Sequence, residues 1–296
     1  MPTLNLKYYK GPDAYSDGAI EDELLKLVEK PQEFMEVLAR DDRWPLLYHL
    51  SPERRNLLEW YPFRRDAALL EIGAGCGALT GLFCEKIARV TAVELSEKRS
   101  RIIERRYVNR PNLEIMAGNF TDMAFERSFD YITLIGVLEY TRAFIQTPDP
   151  YRDLLNRIAA LLKPGGVLFV AVENKLGLKY FAGARDDHTS RQFDGIEGYP
   201  AGGAETFTRD ELSQLLRVGG FAEQTFYYPH PDYKLPAEIF SDAFLPAAVH
   251  ILADAPNYDQ ERLKLFNEQR AFSTIIRDGK FPQFANSFLV LASQGN

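Results

Sequence analysis

The sequence between residues 67 and 173 alternates short apolar runs with stretches of helical periodicity. The apolar runs read ALLEI, RVTAVEL, LEIMAG, FDYITLIGV and GVLFVAVE. Helical patterns lie between them, at residues 79–88, 97–107 and 151–162. Strands that alternate with helices in this way predict βαβ units and a parallel, doubly wound α/β sheet of the Rossmann-like kind.

The rest of the chain extends this sheet and adds flanking regions. Helical patterns at AIEDELLKLVEK and SPERRNLLEWY, the second with Ser51 as N-cap, precede the sheet. Thr208 and Glu211 form a capping box at the start of another predicted helix. AEQTFYYPHP and NSFLVLAS read as a sixth strand and a last strand, which brings the sheet to seven. We expect an N-terminal helical region at 1–66, a core at 67–228, a mostly helical cap insertion at 229–285 and the last core strand at 286–296.

Charge and cysteine content limit the class of protein. A net charge of -7 and a pI of about 5.3 argue against a nucleic-acid partner held through its phosphates. Cys76 and Cys84 suggest neither a disulfide framework nor a metal site. The N-terminus lacks the apolar core of a signal peptide, and no run of about 18 apolar residues occurs. We expect a cytoplasmic protein without a transmembrane segment.

The stretch LLEIGAGCGALT follows the first predicted strand of the core and fits two kinds of cofactor loop. Gly73, Gly75 and Ala78 match the dinucleotide pattern G-x-G-x-x-G/A, with Glu94 placed for a ribose hydroxyl. Glu71 would repel a pyrophosphate, however, whereas S-adenosylmethionine (SAM) carries an ammonium group and no phosphate. The loop therefore favours SAM, and a dinucleotide oxidoreductase remains a distant alternative.

Three later features are similar to those of class I SAM-dependent methyltransferases, over residues 67–220. They are the helix YRDLLNRIAALL followed by KPGG and a strand, the GNF triplet, and the strand FDYITLIGVLEY. The resemblance implies SAM as cofactor, with the floor of its site formed by Glu71, Gly73, Gly75 and Gly77 and with Gly136 also in contact. It implies further that Glu94 binds the ribose hydroxyls and that Asn119 and Phe120 flank the adenine. The family often has Asp at the position of Asn119.

A narrower resemblance covers nearly the whole chain. The segments YHLSPERRNLLEWYPF, ENKLGLKYFAGARDDHT, FDGIEGYP, YYPHPDYKLP and FANSFLV resemble methyltransferases found with, or fused to, glycosyltransferases in bacterial surface-polysaccharide pathways. This resemblance implies O-methylation of a sugar such as rhamnose, in a glycan (for example O-antigen) or its precursor. It implies a sugar or glycan acceptor and a glycosyltransferase partner.

Methylation of a sugar hydroxyl is helped by a base that removes its proton, so we searched the carboxyl edge of the predicted sheet. His188, in the polar loop after the fifth strand, and His230, at the end of the sixth, are candidate bases. Glu139, beside Tyr140 at the end of the fourth strand, is a candidate site residue of undetermined role. Glu173 ends the fifth strand and points to the same edge. His49 and His250 are predicted to be structural.

The run Asp186-Asp187-His188 has two readings. It resembles a magnesium site, but two adjacent carboxylates do not easily bind one ion with good geometry. We therefore predict no metal, and expect Asp187 to orient His188 through a hydrogen bond.

Sugars stack on aromatic rings and bond to tyrosine hydroxyls, so an acceptor groove needs aromatic residues. The candidates are Tyr180, Tyr199 and Tyr233. Two alternatives stay open: a methyltransferase for a small molecule or natural product, and a non-catalytic SAM-binding scaffold beside a glycosyltransferase.

Overall fold

A computed structural model describes residues 1–13, 16–30, 34–251, 254–256 and 261–295. The chain divides into two compact units, Met1–Leu134 with Ala160–Val167, and Ile135–Ala159 with Leu168–Asn296. This division falls at other positions than the predicted domain boundaries, which remain a prediction. In the described ranges, no helix combines the length and the apolar character that crossing a bilayer requires.

The first unit is built on parallel strands. These are β1 (Thr3–Tyr8), β2 (Ala68–Ile72), β3 (Arg89–Glu94), β4 (Leu113–Gly118) and β5 (Phe129–Ile135), the last residue of which belongs to the second unit. Their order is β1-β4-β3-β2-β5, and every neighbouring pair is parallel. All residues of β2 and β5 are buried, as expected of strands that are covered on both faces.

The described residues of this unit include the α-helices α1 (Ile20–Val28), α2 (Phe34–Leu38), α3 (Trp44–Leu50), α4 (Thr80–Lys86) and α5 (Glu97–Arg106). The predicted apolar face of α1 is confirmed, because Leu24 and Val28 pack in a core with Leu46 of α3 and Ile102 of α5. The predicted helix after Ser51 is a 3-10 helix, Pro52–Leu57. Ser51 caps it, as its hydroxyl accepts a hydrogen bond from the Glu53 amide.

The second unit contains β6 (Leu162–Glu173), β7 (Glu223–His230), β8 (Glu238–Ser241) and β9 (Ser287–Ser293), where the first half of β6 belongs to the first unit. Their order is β6-β9-β7-β8, with antiparallel pairing throughout. Its helices are α6 (Thr141–Phe144), α7 (Pro150–Leu161, the end of which lies in the first unit), α8 (Leu178–Phe181), α9 (Arg209–Val218), α10 (Glu268–Arg277) and α11 (Phe281–Phe284). The capping box of Thr208 and Glu211 at α9 is confirmed.

Three expectations about the fold are corrected. The described residues form nine strands rather than seven, the additional ones being β1 and β8. The N-terminal region is not purely helical, since β1 pairs with β4 along the register Leu4↔Ile115. The insertion at 229–285 is not mostly helical in its described residues, where β8 and irregular chain accompany α10 and α11. Strand β1 depends on pairing with distant chain, which local periodicity does not reveal, whereas β8 is a strand of only four residues that pairs with β7.

Candidate functional site

The glycine loop after β2 needs glycine for its backbone conformation. Gly73, Gly75 and Gly77 have φ angles of 74°, 56° and 81°, which side chains rarely adopt. A Cβ on Gly77 would also lie 2.9 Å from the ring of Tyr107. That ring is fixed, since the Tyr107 hydroxyl donates to the Gly77 carbonyl at 2.6 Å. Because these positions carry no side chain, a ligand could approach the backbone of the loop closely.

Glu71, near the end of β2, is buried beside this loop, only 5% exposed. The hydroxyl of Thr80 donates to its Oε2 at 2.6 Å. Burial, together with the nearby carboxyl of Glu94, raises the pKa of Glu71 to about 8. A cation brought to this carboxyl would favour its charged form.

Glu94, the last residue of β3, closes the other side of the loop. Its Oε2 accepts from the Gly75 amide at 2.7 Å, and its Oε1 accepts from the Ser96 amide at 3.0 Å. Burial raises the pKa of this carboxyl as well, against the attraction of Arg99. Two carboxyl groups thus flank the glycines, and their oxygens can accept hydrogen bonds from an ammonium group and from hydroxyls. SAM fits these residues.

The predicted adenine contacts remain predictions. Asn119 caps a short 3-10 helix, Phe120–Asp122, by accepting from the Thr121 amide at 3.0 Å. Phe120 is 6% exposed, and its ring lies 5.8 Å from that of Phe125. The side chain of Asn119 therefore already has a local structural role.

His49 lies at the glycine loop, which the sequence did not indicate. Its Cε1 is 3.9 Å from the place a Cβ on Gly75 would take, and its Nε2 lies 3.0 Å from Oδ2 of Asp17. Arg99 pairs with Asp17 at 2.8 Å and with Glu21 at 2.7 Å. No sequence pattern links these residues, because three separate segments bring them together.

In the second unit, the structure brings together three predicted residues. The ligand-type atoms of Glu139, Glu173 and His188 all lie within 4.8 Å of one another. Among the residues that the structure describes, neither carboxyl oxygen of Glu139 has a hydrogen-bond partner, although this side chain is only 1% exposed. Burial of a carboxyl group without hydrogen-bond partners costs folding free energy, which suggests that the Glu139 carboxyl has a function.

His188 is oriented by residues other than the expected one. Its Nδ1 lies 2.9 Å from the Tyr140 hydroxyl, and its Nε2 lies 3.4 Å from Oε2 of Glu173. Asp187 instead accepts from Lys179 at 2.8 Å and from Lys234 at 2.7 Å. The expected hydrogen bond from Asp187 to His188 is therefore wrong, because two buried lysines occupy this carboxylate.

The electrostatics of this group follow from its burial. Burial, together with the charge of Glu173, raises the pKa of Glu139 to about 8. Burial alone would lower the pKa of His188, but the carboxylate of Glu173 outweighs it and raises the pKa to about 9. Lys234, 2.6 Å from Oε1 of Glu173, holds the pKa of that carboxyl well below its usual range despite burial.

The predicted acceptor tyrosines are buried. Tyr180 donates to Oδ2 of Asp187 at 2.6 Å, and Tyr199 donates to Oδ2 of Asp186 at 3.1 Å. The hydroxyl of Tyr233 lies 2.9 Å from the place where a Cβ on Gly136 would stand. Their role in binding an acceptor remains a prediction.

The other histidines lie in different surroundings. His230 is buried at the end of β7, and its ring is edge-on to Phe272 at 5.8 Å. His250 is in a 3-10 helix, Ala248–His250, and stacks on Phe240 at 6.1 Å. His230 is thus not part of the group formed by Glu139, Glu173 and His188, and its role as a base remains a prediction.

Part of the chain is similar to known proteins. Residues 70–170 match the profile of the family described as "Methyltransferase domain". A malonyl-[acyl-carrier protein] O-methyltransferase of Priestia megaterium is 27% identical over 163 residues, 54% of this chain and 56% of that protein. A dTDP-4-amino-2,3,4,6-tetradeoxy-D-glucose N,N-dimethyltransferase of Saccharopolyspora spinosa is 33% identical over 103 residues, 35% of this chain and 39% of that protein. The chain spans about half the length of the curated relatives it matches.

Similarity to a solved structure extends further along the chain but shows the fold alone. The structure is from the complex between the Haloferax volcanii Trm112 methyltransferase activator and a methyltransferase. It has a TM-score of 0.50 and 21% identity, and the match covers 89% of this chain and 96% of that one. Residues 70–170 therefore form a class I SAM-dependent methyltransferase domain, with SAM as its cofactor.

Proposed function

We propose that the protein transfers a methyl group from SAM to a hydroxyl of a sugar, with rhamnose as the first acceptor to test, in a bacterial surface polysaccharide or its precursor. The observation that carries the O-methylation is the carboxyl of Glu139, which is buried beside His188 and Glu173 with both oxygens unpartnered among the described residues. A hydroxyl is a poor nucleophile near neutral pH, and a base whose pKa lies near the working pH can take its proton. Burial raises the pKa of Glu139 to about 8, which suits that task.

The residues of the first unit would hold the cofactor. Glu71 would bind the ammonium group, Glu94 would accept hydrogen bonds from the ribose hydroxyls, and the glycine backbone would allow the cofactor to approach closely. When bound, SAM supplies a methyl group that is already activated on a sulfonium.

The residues of the second unit would handle the proton. Glu139 would accept the proton of the acceptor hydroxyl as that oxygen takes the methyl group and becomes a methyl ether. His188 and Glu173 keep this carboxyl and the acceptor in position, because Tyr140 and Lys234 hold these two side chains from behind. Positioning of this kind provides much of the rate enhancement when the donor is already activated.

The sugar acceptor is supported by two observations. One relative is named as a dimethyltransferase of a nucleotide-linked amino sugar. Five segments of this chain also resemble sugar methyltransferases that occur with glycosyltransferases, from which we propose a glycosyltransferase as partner. A methyltransferase for a small molecule or natural product is the second candidate, because the relatives are named for varied acceptors.

An acceptor screen tests this function. The protein is incubated with SAM carrying a labelled methyl group and with nucleotide-linked rhamnose, a rhamnose oligosaccharide, a catechol or an amino-sugar nucleotide. We expect labelled methyl ether on a rhamnose acceptor. Label on the catechol alone would support the small-molecule alternative, and binding of S-adenosylhomocysteine without any turnover would indicate a scaffold.

Glu139→Gln tests the assigned base in the same assay. We expect kcat to fall by about 10²-fold or more while the affinity for S-adenosylhomocysteine is unchanged. The matched control is Glu205→Gln, because Glu205 is a nearby carboxylate that pairs with Arg142 and Tyr151 instead. Equal loss in both variants would contradict the assignment.

A further inference from the structure

The group formed by Glu139, Glu173 and His188 has the composition of a metal site. Two carboxylates and one imidazole offer their ligand-type atoms within 4.8 Å of one another. Glu139 adds an independent observation, since its two buried oxygens are unpartnered among the described residues and one lies 3.7 Å from the place of a Cβ on Gly136. A bound ion would satisfy this carboxyl.

The imidazole of His188 is oriented as a metal ligand usually is. A metal-bound histidine typically donates its second ring N–H to an oxygen, which fixes the tautomer. The Tyr140 hydroxyl lies 2.9 Å from Nδ1 and can accept that hydrogen. Nε2, the nitrogen that faces Glu173, then carries the lone pair that can bind a metal ion.

The spacing of the two nearest ligand atoms fits an ion between them better than a hydrogen bond. Nε2 of His188 and Oε2 of Glu173 are 3.4 Å apart, longer than most N–H···O hydrogen bonds. Ligands at about 2.1 Å from one ion stand about 3.0 Å apart at octahedral angles and about 3.4 Å apart at tetrahedral angles. The observed distance is therefore within reach of shared coordination.

Buried charges surround the group. Lys234 lies between Oε1 of Glu173 and Oδ1 of Asp187, and Lys179 lies 2.8 Å from Asp187 and 3.7 Å from Asp232. A divalent cation bound by Glu139, Glu173 and His188 would displace the protons from the Glu139 carboxyl and from Nε2 of His188, because metal ligands bind in their deprotonated form.

We propose that Glu139, Glu173 and His188 bind a divalent cation through one oxygen of each carboxylate and Nε2 of the imidazole. Because imidazole joins the oxygens, the donor set suits an ion such as Mn²⁺ better than Mg²⁺ or Ca²⁺, which prefer oxygen alone. This proposal replaces the expectation of no metal, which was drawn from Asp186 and Asp187. Those two residues have other partners, such as the His188 amide and Lys179.

Three protein ligands leave open coordination positions on the ion. These positions indicate which class of substrate could bind there. Two neighbouring hydroxyls of a sugar can occupy two open positions, and binding to a cation acidifies a hydroxyl. One oxygen of Glu139 would bind the ion and the other would accept the proton. This role in catalysis rests on the proposed function, whereas ion binding itself does not.

Titration of the metal-free full chain with Mn²⁺ tests the site. Binding is measured as the loss of the EPR signal of the free ion. We expect about one Mn²⁺ per chain, bound well below about 1 mM, and at least tenfold weaker binding in Glu139→Gln and His188→Gln. Glu205→Gln should bind like the wild type. Saturation only above about 1 mM in the wild type, or equal affinity in Glu139→Gln, would overturn the proposal.

Separate measurements of thermal unfolding and of methyl transfer distinguish effects on folding from effects on activity. Glu139→Gln removes an unpaired buried carboxyl, so it should unfold at no lower temperature than the wild type without metal. Mn²⁺ should raise the unfolding temperature of the wild type and leave that of Glu139→Gln unchanged. Tight Mn²⁺ binding without methyl transfer to any acceptor would refute the function and keep the site. Methyl transfer that is unaffected by EDTA, with no Mn²⁺ bound, would refute the site and keep the function.

Discussion

The hydroxyl of Tyr140 lies 2.9 Å from Nδ1 of His188, in a T-shaped ring contact with an interplanar angle of 87°. Tyr140 is next to Glu139 in the chain, so one short 3-10 helix, Leu138–Tyr140, supplies both the unpartnered carboxyl and the residue that orients the imidazole. Changes in this short helix should therefore affect the whole group.

Tyr140→Phe should weaken ion binding without removing a ligand. The variant loses the oxygen that fixes the tautomer of His188, and such a loss typically costs about 10-fold in metal affinity or more. Mn²⁺ titration measures the effect. Tyr228→Phe is the matched control, because Tyr228 is a buried tyrosine of the same unit whose hydroxyl bonds to Asp242. Unchanged affinity in Tyr140→Phe would contradict the orienting role.

Lys234→Met should destabilise the protein strongly. The lysine lies 2.6 Å from the buried carboxylate of Glu173, and removal of one partner of a buried ion pair costs about 3–5 kcal/mol. Denaturant unfolding measures the loss of unfolding free energy. Lys10→Met is the control, since its pair with Asp122 is on the surface and should contribute little. Similar effects of the two substitutions would argue against a buried network.

Gly77→Ala should be more destabilising than Gly75→Ala. Both glycines have positive φ, so alanine costs about 1–2 kcal/mol at either position. At Gly77 the new methyl group would also stand 2.9 Å from the ring of Tyr107, while at Gly75 its nearest neighbour is His49 at 3.9 Å. The difference appears as a lower denaturation midpoint for Gly77→Ala. Equal midpoints would show that the Tyr107 ring can move.

Cofactor affinity should rise with pH because of Glu71. In the free protein burial raises the pKa of this carboxyl to about 8, so it is mostly protonated below that pH. The ammonium group of the cofactor favours the carboxylate, so binding releases a proton. Affinity should then increase by up to about tenfold per unit from about pH 6 and level off near pH 8.

Calorimetric titration with S-adenosylhomocysteine at several pH values tests this prediction. The dependence on pH should be weaker in Glu71→Gln, which cannot release the proton. The Thr80 hydroxyl can still bond to the new amide oxygen, so the local structure should persist. A wild-type affinity that does not change with pH would contradict contact between Glu71 and the ammonium group.

The sequence predicts the helices, the strands and the sheet edge at which site residues lie better than it predicts the contacts between side chains. Glu139, Glu173 and His188 were expected at one edge because each follows a predicted strand, and they do lie together. The lysine partners of Asp187 were not predictable, because they depend on the conformation of an irregular loop. Strand β1 was missed because TLNLKY pairs only with distant β4. His49 was assigned a structural role because nothing local connects it with the glycine loop.

The most direct test of the account is a calorimetric titration of the purified chain with S-adenosylhomocysteine and, separately, with NAD. Micromolar binding of S-adenosylhomocysteine without binding of NAD is the predicted result, because two buried carboxyl groups flank the glycine loop. Binding of NAD, or of neither compound, would contradict the account of this loop and the methyl transfer that depends on it.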